Sequence, residues 1–154
     1  MSAHEDHVRI IGEALAYGVT GDQDHGVKLL QPLVDAGRLS TYVLLGSLAE
    51  TSAFTALQNQ RPGEMFTLPV ENTVTGQPAS VDVLPAPLRF AGQFVTAWAN
   101  RDQDTALALF NALADRCERT GSTDLGDAIG LVYGMAVATS TEVIRARREA
   151  RGER

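Results

Sequence analysis

Apolar residues Val8, Ile10, Ile11, Leu15 and Tyr17 recur at helical spacing after Ser2, and a stripe of that width marks an amphipathic helix that faces a core. Ser2 with Glu5 three residues on is a capping box, in which each side chain takes up the other's free backbone amide. The pattern predicts a helix from Ser2 to about Val19, ended by Gly21. Asp22 stands where a cap for the next helix belongs, and Asp24 lies in its electropositive first turn. Val27, Leu29, Leu30, Leu33 and Val34 supply the buried stripe of that helix, which closes at Gly37. Pro32 falls inside it; a proline there removes one backbone bond, which predicts a kink or break near Gln31. Ser40 is expected to cap a third helix through about Ala56, with Tyr42, Val43, Leu45, Leu48, Ala49 and Phe54 as its apolar positions.

From Gln60 to Pro87 the pattern changes. Five of the six prolines (Pro62, Pro69, Pro78, Pro85 and Pro87) fall here, which excludes a helix over most of the stretch. Met65 to Val70 and Ser80 to Leu84 each suit a short extended strand about a turn at Thr75-Gly76-Gln77-Pro78. Either a small edge hairpin or an irregular packed crossover satisfies that pattern. Helical spacing returns with Phe90, Phe94, Val95 and Trp98, in a helix from Leu88 to Ala99. Asp102 caps the next, which runs to about Glu118, and residues 121–124 form a loop and cap. The last helix begins near Leu125 and is apolar nearly all round through Ile129, Leu131, Val132, Tyr133, Met135 and Val137, so it belongs at the centre of the core. Residues 145–154 carry almost no apolar surface and are expected to project into solvent or fray.

The stretch from Asp22 to Asp35 reappears eighty positions later from Asp102 to Asp115, with six of fourteen positions identical: Asp-Gln-Asp, then Leu29 with Leu109, Leu33 with Leu113, and Asp35 with Asp115. Val27 faces Leu107, Leu30 faces Phe110 and Gly26 faces Ala106, so size and polarity persist where identity is lost. The expected architecture is one all-α domain of about six helices. It divides into a pseudo-repeat over about 2–59, a proline-rich crossover over about 60–87, a second pseudo-repeat over about 88–144 and a basic tail over 145–154.

Leu45-Gly46 with Tyr42 before and Ala49 after, and Gly26 or Ala106 followed by Leu30 or Phe110 and then Leu33 or Leu113, resemble fragments of the tetratricopeptide pattern. Tyr133-Gly134 sits in the third helix of the second half much as Leu45-Gly46 sits in the first. The resemblance spans about two thirds of the chain in pieces, without that family's period of roughly 34 residues. It implies stacked helix pairs, in which small residues admit a neighbouring helix and bulky ones fill the groove, and a module that binds a partner protein.

Composition changes this picture little. A chain of 154 residues suits one domain with one core. No apolar run approaches the roughly 18 residues that span a bilayer. Met1 to His7 has neither the basic start nor the apolar core of a secretory signal, so a cytoplasmic protein is expected. The lone Cys117 forms no internal disulfide and is expected as a small helix residue. Charge is uneven. Residues 1–144 hold 8 basic and 17 acidic side chains, a net −9, whereas 145–154 hold five arginines against Glu149 and Glu153, a net +3. An acidic body disfavours broad contact with nucleic acid.

Candidate chemistry is sparse. His4 and His7 share a helix face at i, i+3 and are the one pair with metal-ligand character, with His25 as a conceivable third, yet a metal site needs further ligands and an outer shell. Capping accounts for the paired Asp22/Asp24 and Asp102/Asp104 more simply than an ion site does. No nucleophile elbow, phosphate loop or Cys-x-x-Cys pair is present, and no cofactor is expected. Phe90, Phe94, Trp98 and Phe110 lie at helical spacing and read as core.

The function expected is therefore a non-catalytic protein-interaction module that pairs with itself as a homodimer through apolar helix faces. The alternative is a regulatory factor that touches nucleic acid or an acidic partner through Arg145, Arg147, Arg148 and Arg151. An enzyme with Glu64, Glu71 and Asp82 lining a cleft is the third reading.

Overall fold

The computed structural model describes residues 2–66 and 83–152. Among them every regular element is a helix: α1 (Ala3–Val19), α2 (Gln23–Leu29), α3 (Gln31–Asp35), α4 (Arg38–Ser52), α5 (Phe54–Gln58), α6 (Ala86–Ala99), α7 (Gln103–Thr120) and α8 (Asp124–Ala150). The hairpin expected over 65–70 and 80–84 lies mostly outside the described residues.

The start of α1 is the capping box, with the Glu5 amide donating to Ser2 Oγ at 3.1 Å and the Ser2 amide to Glu5 Oε2 at 2.8 Å. Pro32 breaks the second helix as its chemistry requires. The α2 ladder stops at Leu29, and Pro32 sits in the first turn of α3, where its missing amide hydrogen costs nothing.

The third helix departs from expectation at both ends. It starts at Arg38 with Gly37 as its cap, and no side chain caps it; Ser40 lies inside the first turn. Gly37 takes φ 121, a conformation open to glycine. The Thr41 hydroxyl then donates to Gly37 O at 2.8 Å. At the far end α4 stops at Ser52, short of Ala56, and α5 follows after Ala53. The hydroxyls of Ser47, Thr51 and Ser52 donate to the carbonyls of Val43, Ser47 and Leu48, a back-bonding that bends and weakens helices.

α1 pairs with α2, α6 with α7, and α4 with α8. The turns of the first two pairs are built from the same bonds. In one, Thr20 donates to Ala16 O at 3.2 Å, Gly21 to Gly18 O at 3.1 Å and Asp22 to Tyr17 O at 2.9 Å. In the other, Asn100 donates to Thr96 O at 3.0 Å, Arg101 to Trp98 O at 3.0 Å and Asp102 to Ala97 O at 2.9 Å. Each turn places its middle residue at positive φ, Gly21 at 100 and Arg101 at 60, as the helix-ending motif with a left-handed residue demands. In each an aspartate then caps the next helix: Asp22 Oδ1 accepts from the His25 amide at 3.1 Å and Asp102 Oδ1 from the Thr105 amide at 3.2 Å.

The core sits around α8, which packs on α1, α2, α4, α5, α6 and α7. Ala128, Ile129, Val132, Tyr133, Ala136 and Val137 are its buried positions. They meet Leu44, Leu45, Leu48, Phe94, Val95 and Phe110, all nearly or wholly buried, each worth about 1.5–3 kcal/mol of transfer free energy. Tyr42 stands edge-on to Phe94 with centroids 6.1 Å apart, and Phe90, Phe94 and Trp98 stack in succession at 5.4 and 6.0 Å. The aromatic set is core packing, apart from Trp98, which is half-buried.

Candidate interaction surface

The face that α4 turns away from the core carries exposed apolar residues in its first half, ahead of Ser47 and the ion-paired Glu50. Thr41, Leu44, Leu45 and Leu48 point inward. Leu39 and Val43, one turn apart on the other side, are 75% and 41% exposed. Phe54, just past the break at Ala53, is 37% exposed. The sequence pattern makes Val43 and Phe54 apolar positions of one helix from Ser40 to about Ala56; Val43 is exposed on α4, and Phe54 lies past the break, in α5. The available signal was period: 39, 43, 47, 50 and 54 share one face, opposite 41, 44, 45 and 48.

The stripe leads into a groove of about 310 Å³ between the end of α4, α5 and the second half of α8. Phe54, Val143 and Ile144 supply its apolar lining, Thr51, Thr139 and Ser140 its hydroxyls, and Glu50 and Arg147 its charges. The Thr139 hydroxyl is spent on Ser52 O at 2.8 Å, tying α8 to α4, and the Thr51 hydroxyl on Ser47 O at 3.1 Å. Glu50 is neutralised locally. Arg101 donates to both its oxygens, at 2.7 and 2.9 Å, and Trp98 Nε1 donates to Oε2 at 3.1 Å. The hydrogen bonds from Arg101 hold the Glu50 carboxyl below its ordinary pKa against an opposing push from burial.

Of the arginines singled out in the sequence, Arg147 lines this groove. Arg145 and Arg148 lie exposed on the same final turns of α8, and Arg151 caps the helix end. The segment is thus a projecting helix, where fraying was the alternative expectation.

His4 is exposed at the start of α1, and His7 is half-buried one turn before Ile11. His7 Nε2 is buried without a hydrogen-bond partner, and burial, with the neighbouring His4 adding to it, lowers the imidazole pKa. His25 is elsewhere, its ring against Tyr17 at 4.2 Å. Among the described residues no three His, Cys, Asp or Glu side chains gather as a metal-binding group.

Glu64 pairs loosely with Arg61 at 3.8 Å and borders a cleft of about 330 Å³ with Asn100 and Arg101. Glu71 and Asp82 lie outside the described residues. Beside that cleft the Asn100 carboxamide accepts from the Phe66 amide at 2.6 Å and donates to Phe66 O at 2.9 Å. This holds the incoming chain as a neighbouring strand would. A further apolar cleft of about 580 Å³ lies between Pro85, Pro87, Leu88 and the Gly130-Leu131 turn of α8.

Among the described residues the chain is all-helical, and no helix of them is long and apolar enough to cross a membrane. No family model, no curated protein and no solved structure matches it.

Proposed function

We propose that this chain is a non-catalytic protein-interaction module that pairs with a second copy of itself through the outward stripe of α4. The observation that carries the reading is the two-faced α4, whose outer side offers Leu39 and Val43 to solvent while its inner side is core. Apolar side chains aligned along one helix face are what an isologous pair covers, since the same stripe on each copy is its own complement about a two-fold axis.

The architecture belongs to the same proposal: two helix hairpins derived from one duplicated unit. The matching bonds of the Thr20–Asp22 and Asn100–Asp102 turns support that origin. So does the use of small residues at helix crossings, Gly26 beneath Tyr133 and Gly46 beneath Trp98, which favours the tetratricopeptide-like reading.

Sedimentation velocity across the micromolar range tests the pairing. A dimer is expected, and Leu39→Glu with Val43→Glu is expected to convert it to a monomer of unchanged helicity. A wild-type chain that stays monomeric throughout overturns the reading.

A further inference from the structure

The stripe of α8 that lines the groove does not end with it. Ser140, Val143, Ile144 and Arg147 follow one another at helical spacing, and the same spacing continues to Arg148, one turn past Ile144, and to Arg151, one turn past Arg147. An apolar trough therefore runs out onto a cationic helix end. Residues 145–154 hold five arginines against Glu149 and Glu153, a net +3, on a chain whose residues 1–144 carry a net −9. The one carboxylate bordering the trough, Glu50, is already neutralised by Arg101. The two lining threonine hydroxyls are spent on backbone carbonyls, which leaves Ser140 as the lining hydroxyl for a polar ligand to meet. What it lacks is an apolar ligand that becomes negative along its length.

We propose that the groove between α4–α5 and α8 binds an acidic amphipathic helix of a partner protein. Its apolar residues, one turn apart, seat against Phe54, Val143 and Ile144, and its carboxylates, a turn further on, lie against Arg147 and Arg148. Helix-in-groove docking with charged flanks is an established mode of recognition, and the opposite charges set orientation and on-rate. A nucleic acid fits less well, because a polyanion finds no partner in the apolar trough and is repelled by the acidic body. The proposal rests on the reading of the chain as an interaction module, but not on its pairing with itself.

The test uses three synthetic helical peptides and the full chain. One peptide carries leucines one turn apart followed by glutamates, the second has lysines in place of the glutamates, and the third is a scramble of the first. Labelled-peptide anisotropy is expected to show the acidic peptide binding at least about tenfold more tightly than either control, with that preference shrinking as salt rises. Arg147→Glu with Arg148→Glu, both at exposed positions, is expected to reverse the preference, and Ile144→Asp to abolish it. Equal binding of acidic and basic peptides overturns the proposal, as does a duplex oligonucleotide that displaces the acidic peptide. The measurement is repeated on Leu39→Glu/Val43→Glu, which keeps the groove residues. Binding retained there while the chain is monomeric separates the two proposals, and binding lost there overturns the groove as the site.

Discussion

Tyr133 holds a tight junction between helices. Its hydroxyl donates to Ala14 O at 2.6 Å, and Cβ atoms added at Gly18 or Gly26 would overlap it. Gly26→Ala is therefore expected to cost about 1–3 kcal/mol by overpacking. A Tyr133→Phe background should relieve only part of the cost, because it removes the hydroxyl but leaves the overlap with Ala14 O, and a double-mutant cycle by denaturant unfolding measures that part. That Gly26 needs to be small was legible from its alignment with Ala106; that Tyr133 is the reason was not, since the partner lies more than a hundred residues away. His7 gives a pH effect with a definite sign. Its pKa is lowered in the fold, so the unfolded chain binds the proton more readily, and stability falls as pH drops below the ordinary histidine value of about 6.5. His7→Leu is expected to flatten the thermal midpoint between pH 7 and 5 relative to the native chain, to an extent set by the half-exposure of the ring. A native-like slope in the variant would assign the effect to other groups.

Caps and breaks made most helices legible. Ser2, Asp22, Asp102 and Pro32 each act through local chemistry that the chain carries within a few residues. The α4–α5 break was not legible, because neither a proline nor a glycine marks Ala53. The two hairpin turns provide a test of element geometry. Gly21 has open space around it but holds φ at 100, a backbone conformation that strains any side-chain-bearing residue, so Gly21→Ala is expected to lose about 1 kcal/mol. Arg101→Gly relaxes the equivalent backbone and removes only an exposed ion pair with Glu50. Its net effect is expected within about 1 kcal/mol and to move toward stabilisation in high salt, which screens the lost ion pair but not the relaxed backbone. Chemical denaturation at two salt concentrations distinguishes the two behaviours.

At the scale of the whole molecule, the charge asymmetry and the central last helix were visible in the sequence, whereas the groove was not. It needs the residues around Phe54 to meet those around Ile144, an adjacency no local pattern encodes. The end of α8 adds surface but no core, since Arg145 to Ala150 are all exposed. Truncation after Ile144 is expected to leave the melting temperature within about 2–4 °C of the full chain, and a larger fall in calorimetry would show that the arginine segment braces the body. The bond from Tyr133 to Ala14 has one more consequence. Those residues are 119 apart in the chain, so on a ribosome adding about 5–20 residues per second Ala14 waits roughly 6–24 s for the side chain that plugs the first hairpin. The notch at Gly18 and Gly26, the first part of the core to be synthesised, is among the last to be sealed, and the nascent chain is most open to chaperones and proteases in that interval.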